Sequence, residues 1–284
     1  ISKIMKSIIY NLVLISIFSA PIRSHKCSHD ELNHEHHFLD VHTEEEKRML
    51  ASPVPAAIRF ATDYSLLKTN STAYQTYITK KIMPAVLDYW TSTLKVKAPV
   101  TKNITIPNSP TYKNLCGLQI PAQYFTTGAS GDMILFVVAV NDSSSSFVAQ
   151  ATWCMQDTTT KRPVVAKVTF NLYYVTLGTN ALDHEKNIYT TLHEMTHALG
   201  FSNGLYKYYI DSNGNPLQNA VTTQIINGKN VTVLKVEPLT SKLKAHFGCS
   251  NITGAILEDN GSSGSAGSHF ERKIFLSEVM TATT

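Results

Sequence analysis

Apolar residues recur with helical spacing in two long stretches of the chain. Residues 74–94 carry apolar side chains three and four positions apart, as along one face of a helix. Pro84 lies inside this pattern, and because proline lacks an N–H and crowds the preceding turn, we predict a kinked or divided helix. Residues 185–199 form the second pattern, and Gly200 follows where helices commonly end. A shorter helical pattern covers residues 269–280.

Other stretches have the patterns of strands. Residues 132–140 are nearly all apolar, which indicates a buried strand. Residues 164–175 alternate in part, and we also predict a strand within 57–64. From residue 202 to residue 268 the periodicity disappears, and Asn-Gly pairs and a glycine-rich run indicate turns and loops. Helices and strands together predict an α/β (α+β) fold.

The first residues have the parts of a secretory signal peptide, which we assign to residues 1–24. Lys6 precedes the apolar run 8–18, and small residues follow it. The run is short for a membrane span, and a buried amphipathic helix is the alternative. The next stretch, residues 25–51, is polar and holds six of the eleven histidines. Because it has little to bury, we expect a removable or loosely packed segment.

Composition narrows the function without identifying it. The 284 residues are 43% hydrophobic and 16% charged, which is ordinary for a globular protein of one or two domains. The net charge of +4 is not gathered into a basic stripe, so we expect no nucleic-acid binding. Membrane attachment would need a C-terminal signal beyond this sequence. Six glycosylation sequons favour secretion of a glycoprotein: they begin at Asn70, Asn103, Asn141, Asn230, Asn251 and Asn260.

The segment from His193 to His197 reads His-Glu-x-x-His within the second predicted helix. Histidines four residues apart lie on one helix face, so both imidazoles can bind one zinc ion. Glu194 lies beside the first ligand, where it can accept the proton of an attacking water. A solvated helix face is the alternative. A third ligand is needed, and the residues alone leave three candidates: His184, His246 and His269. We place His184 before the helix. The residues alone favour His269 mildly.

A family resemblance narrows this choice. Residues 193–201, HEMTHALGF, resemble the start of the metzincin signature, but no third histidine follows within a few residues. The chain resembles the leishmanolysin family, which inserts a long segment before its third histidine. Residues 257–261 and 267–271 resemble that family's third-ligand region. The resemblance implies a metzincin-like catalytic domain with a mixed sheet, a zinc cofactor and His269 as the third ligand.

The same resemblance assigns further residues. Met280, in Glu-Val-Met-Thr, matches the methionine turn that supports the zinc site from below. Residues 151–154 resemble another family segment, and the family implies a disulfide between Cys116 and Cys154, leaving Cys249 unpaired. The family continues past its methionine turn into a cysteine-rich part, so we expect this chain, which ends four residues after the methionine, to be a truncated form.

Residues 25–30, His-Lys-Cys-Ser-His-Asp, resemble the segment of the family's pro-region that is interpreted as a cysteine switch. The resemblance implies that Cys27 occupies the open position on zinc and keeps the precursor inactive. Two alternatives stand beside it. In the first, Cys27 is a free or intermolecularly bridged thiol with no role at the zinc. In the second, the neighbouring histidines bind metal by themselves.

We therefore predict a secreted zinc-dependent endopeptidase that acts on protein or peptide substrates. A catalytically silent cell-surface adhesion protein of the same fold is the alternative. A structural zinc site would need a fourth protein ligand, and no cysteine lies close in sequence to the helix. The predicted organisation has five parts: signal peptide 1–24, pro-segment 25–55, N-terminal catalytic subdomain 56–201, inserted central segment 202–268, and third ligand with methionine turn 269–284.

Overall fold

The computed structural model describes residues 27–49, 54–211, 213–259 and 266–282. The predicted signal peptide lies outside these residues. The centre of the fold is a five-stranded sheet in the order β1-β6-β7-β5-β3. Strand β6 is antiparallel to β7, and the other pairs are parallel, so the sheet is mixed. Strands β2 and β4 form a separate pair. The bounds are β1 Phe38–Leu39, β2 Ala56–Ala57, β3 Phe60–Asp63, β4 Lys95–Val96, β5 Met133–Val140, β6 Ala149–Asp157 and β7 Pro163–Asn171.

Helices cover the sheet and connect its strands. Within the described ranges none of them is long and apolar enough to cross a membrane. The bounds are α1 Glu44–Met49, α2 Thr72–Tyr77, α3 Met83–Thr93, α4 Pro110–Lys113, α5 Ala181–Ala198, α6 Leu239–Phe247 and α7 Arg272–Phe275. Short 3-10 turns span His29–Glu31, Leu115–Gly117, Ala122–Phe125 and Tyr206–Tyr208.

The divided helix predicted around Pro84 is confirmed. A π-helical turn, Ile78–Ile82, separates α2 from α3, and the proline lies in the first turn of α3. Met83 N–H donates to Ile78 O, five residues back, so the helix widens just before the residue that has no N–H to donate.

Apolar layers lie on both faces of the sheet. On one face, buried residues of α3 and α5, such as Val86 and Met195, pack against β5 and β7. The second layer includes Ile134 and Phe136 of β5 together with Leu39 of β1. Strand β5 is therefore buried on both sides, as its continuous apolar run predicted.

Helix α5 is longer than its apolar pattern indicated. It begins at Ala181, and the side chain of Asn180 caps it by accepting from Asp183 N–H. The prediction that His184 precedes the helix is wrong, since it lies in the first turn. Near the end of the chain, the helix predicted over residues 269–280 is too long, because only Arg272–Phe275 is helical.

The inserted segment has more regular structure than the sequence indicated. Strands β8, Val221–Ile226, and β9, Lys229–Leu234, form a hairpin, and β10, Ala255–Ile256, pairs with β9. Asn227 and Gly228 both have positive φ at its tip. Both strands are largely exposed at that end. The alternation of apolar and polar residues is therefore short, and the sequence did not reveal the hairpin.

The polar segment after residue 26 is packed, so the expectation of a loosely packed segment was wrong. Strand β1 forms one edge of the central sheet by pairing with β6. Leu39 of β1 and the nearby Val41 are buried. Glu46 is also buried, and its carboxylate accepts hydrogen bonds from Thr43 N–H and Thr101 N–H. The sequence missed this because the contacts are polar and join residues far apart in the chain.

Candidate metal centre

Three histidine side chains meet at one point in the interior. His193 and His197 lie on one face of α5, and His269 enters from the end of the inserted segment. Each pair of their Nε2 atoms is 3.2 Å apart. Zinc bonds of about 2.0–2.1 Å in a tetrahedron separate imidazole nitrogens by about 3.3 Å. The observed spacing therefore fits one zinc ion.

The outer nitrogens of two of these rings are held by main-chain carbonyls. His193 Nδ1 donates to Val279 O, and His197 Nδ1 donates to Phe201 O at 2.7 Å. Burial lowers the pKa of His193 to about 3 and that of His197 well below its usual range, so both rings are neutral. Their Nε2 lone pairs then face one another without a proton between them, which is an arrangement for a cation.

Cys27 occupies the fourth corner of the cluster. Its Sγ lies 3.5 Å from His197 Nε2, and the side chain is buried. A zinc–sulfur bond of about 2.3 Å in the same tetrahedron places sulfur about 3.6 Å from each nitrogen. Burial, and then the nearby charge of Glu194, raises the pKa of this thiol. A thiolate at this position therefore needs a cation beside it.

Glu194 lies against the cluster without belonging to it. Its Oε1 is 4.0 Å from His193 Nε2, and its Oε2 accepts from Ala151 N–H of β6 at 3.0 Å. Burial raises the pKa of this carboxyl to about 8, partly offset by hydrogen bonds from Cys27 and from the Ala151 N–H. Strand β6 thus holds the carboxylate where it can take a proton from a group at the metal position.

The turn that contains Met280 lies beside His193. Met280 is buried, and its carbonyl accepts from Phe270 N–H, which follows the third histidine. Tyr189 of α5 donates its hydroxyl proton to Ser277 O at the start of the turn. These bonds position the Val279 carbonyl that orients His193, a role that the sequence did not reveal because a main-chain group carries it.

His29 is a second residue that sequence reasoning missed. Its ring stacks on His197, with centroids 4.1 Å apart and planes 5° apart. Its Nδ1 is 2.9 Å from Ala151 O, and its Nε2 is 3.0 Å from Ser202 Oγ. The polar segment therefore contributes two side chains to the metal centre, Cys27 and His29. Both lie in the family-like stretch, where the resemblance gave a role to the cysteine and the histidines were considered only as metal ligands by themselves.

The two other candidate third ligands, His184 and His246, are not part of the cluster. His184 lies near Tyr77, whose hydroxyl is 3.1 Å from its Nδ1, and His246 is exposed on α6. Neither is near the cluster, so the structure brings only His269 to the helix pair. Gly200 has a φ of 127°, which lets the chain turn as predicted just after α5.

The cysteines form the arrangement that the resemblance implied. Cys116 and Cys154 are joined in a disulfide that ties a 3-10 turn beneath β6. Cys249 is free and exposed, and Cys27 is free and buried. The bridge lies three residues from Ala151, so it supports the part of β6 that holds Glu194.

A family model described as Leishmanolysin matches residues 67–284, most of the chain. The chain belongs to the leishmanolysin family. All three histidines, Glu194 and Met280 lie inside the matched leishmanolysin region, whereas Cys27 lies outside it.

Individual leishmanolysin relatives agree with this membership. A leishmanolysin-like peptidase of Caenorhabditis briggsae is 24% identical over 327 residues, covering 88% of this chain and 49% of that protein. The one from Caenorhabditis elegans is 26% identical, covering 80% and 45%. A leishmanolysin homolog of Crithidia fasciculata is 32% identical over 173 residues, covering 58% and 24%. The chain spans about half the length, or less, of these relatives.

Replacing His269 by alanine should remove zinc from the processed protein, which lacks Cys27, because only the two helix histidines then remain of the four side chains that converge in the precursor. We expect well under one zinc per chain by elemental analysis after dialysis. His184→Ala and His246→Ala are matched controls that should keep the metal. Loss of zinc from the His246→Ala chain, with zinc retained in His269→Ala, would contradict the assignment.

Proposed function

We propose that this chain is a zinc-dependent endopeptidase, secreted as an inactive precursor. The observation that carries the proposal is the convergence of three histidine Nε2 atoms beside a buried carboxylate. A structural site would fill all four positions with groups that stay in place. Here the fourth group is Cys27, which lies in the predicted pro-segment. Its removal would open one position.

The residues around the metal would divide the work of peptide hydrolysis. His193, His197 and His269 would hold the zinc ion, which supplies a Lewis acid that polarises a carbonyl and acidifies water. Glu194 would take the proton of the attacking water and deliver it to the leaving amine. Ala151 N–H fixes the direction of the Glu194 carboxylate, so the proton acceptor is held in place before substrate arrives.

Two features support secretion. The five sequon asparagines among the described residues are all exposed, so a glycan could be attached at each without disturbing the core. The Cys116–Cys154 disulfide fits an oxidising compartment. The asparagines are Asn70, Asn103, Asn141, Asn230 and Asn251.

Activity in the processed protein should depend on zinc. We expect cleavage of an unfolded protein substrate after the segment up to residue 55 has been removed. A chelator such as 1,10-phenanthroline should abolish the cleavage, because the three histidines lose the ion they surround, and added zinc should restore it. The non-chelating isomer 1,7-phenanthroline is the control. If a folded, zinc-loaded, processed chain cleaves no substrate, the result would contradict the proposal and favour the adhesion alternative.

A further inference from the structure

Trp153 lies on β6 two residues after Ala151, whose N–H holds the proposed catalytic base. The indole is 1% exposed, and rings of the polar segment surround it. His34 stacks on it, with centroids 4.3 Å apart and planes 8° apart. His29 and His36 lie at 5.8 and 6.1 Å in tilted orientations. The tryptophan is thus covered largely by residues that the proposed processing removes.

The stacked imidazole of His34 is also held at its edge. Its Nδ1 lies 3.0 Å from Thr152 Oγ1, and its Nε2 donates to His29 O at 3.0 Å. Of these two partners, Thr152 belongs to β6 and stays after processing. An aromatic face and a hydroxyl would then remain side by side on β6, the strand whose Ala151 N–H holds Glu194.

The tryptophan has support that does not come from the polar segment. Gly204 packs against its ring so closely that a Cβ there would be 3.1 Å from Cη2. The indole N–H has no hydrogen-bond partner within the described part of the chain, although a buried tryptophan usually finds one. The ring is therefore held in place, but its polar atom is not used by the surrounding core.

We propose that Trp153 and Thr152 form a substrate subsite for a planar, nitrogen-bearing side chain, either histidine or arginine. The proposal rests on the proposed function and names one determinant of its specificity. Imidazole and guanidinium groups stack flat on an indole face, which attracts cations and N–H groups. Their N–H edge can bond to the threonine hydroxyl. A leucine side chain can make neither contact. In the precursor the imidazole of His34 stacks on this same indole face, with its Nδ1 3.0 Å from the threonine hydroxyl oxygen.

The first test uses the full chain and needs no catalysis. The chain has two tryptophans, so Trp90→Phe leaves Trp153 as the only one to report fluorescence. In Trp90→Phe/His34→Ala, methylguanidinium and imidazole should change the emission in a saturable way. The Trp90→Phe chain with His34 in place is the matched control, and both probes should leave it unchanged. Methylammonium, a cation without a planar face, should act at least roughly tenfold more weakly.

The second test measures specificity in the processed protein. Peptides that differ at one position should be cleaved with a higher kcat/KM when they carry arginine or histidine than when they carry leucine. Trp153→Leu should reduce that preference roughly tenfold, and Trp153→Phe should recover part of it. No cleavage of any peptide would count against the proposed function, and the fluorescence titration would still decide the subsite. No saturable response in the first test, or an unchanged preference in Trp153→Leu, would overturn the inference.

Discussion

Replacing Glu194 by glutamine should reduce peptide hydrolysis by at least roughly 100-fold, the usual contribution of a positioned acid–base group. Glutamine has nearly the same shape and can still accept the Ala151 N–H bond through its carbonyl oxygen. It cannot take a proton from water at neutral pH. The loss should therefore appear in kcat, while the fold and the three histidine ligands remain.

Two measurements make this result specific. Zinc content should stay at the wild-type level in Glu194→Gln, because Glu194 lies outside the cluster of Nε2 atoms. Glu185→Gln is the matched control: that glutamate is exposed on the same helix, α5, and its loss should leave turnover unchanged. Near-normal turnover by a zinc-loaded Glu194→Gln chain would eliminate the proposed mechanism.

Replacing Cys27 by serine should give the unprocessed precursor peptidase activity. The thiol is the group that the structure places at the fourth corner of the site, and a neutral hydroxyl is a far weaker zinc ligand. We expect cleavage more than roughly tenfold above the wild-type precursor, a difference that corresponds to about 1.4 kcal/mol. The rate should stay below that of the processed protein, because His29 still stacks on His197 and β1 still covers β6.

The second free cysteine provides a matched control for this experiment. Cys249 is exposed and is not part of the cluster, so Cys249→Ser should stay as latent as wild type. Thiol-reactive mercurials, or cleavage near residues 52–57, should activate the wild-type precursor; Val54 there is 82% exposed. If Cys27→Ser stays silent while removal of the segment activates both chains, the segment blocks the cleft sterically, and Cys27 is not the switch.

The parts of the fold that the sequence predicted are those in which one short pattern decides the structure. An unbroken apolar run predicted β5, and a helical face predicted α5. The predictions were wrong where the deciding contacts are polar or distant. His184 was placed outside α5 because an asparagine cap, rather than an apolar residue, starts that helix. The segment 25–51 was expected to be removable or loosely packed. Its packing within residues 27–49 was missed because it depends on hydrogen bonds to β6 and to Thr101.

The residues of the site also fall into two groups, those that the sequence predicted and those that only the tertiary structure decided. Helix geometry alone puts His193 and His197 on one face with Glu194 between them, so five consecutive residues determine two proposed ligands and the proposed base. His269 is 72 residues further along, and no periodicity relates it to the helix. Only the folded chain brings it within 3.2 Å of both histidines. The carbonyls of Phe201 and Val279, which orient the two helix histidines, were decided by tertiary structure as well, because every residue has a carbonyl and only its position in space distinguishes one from another.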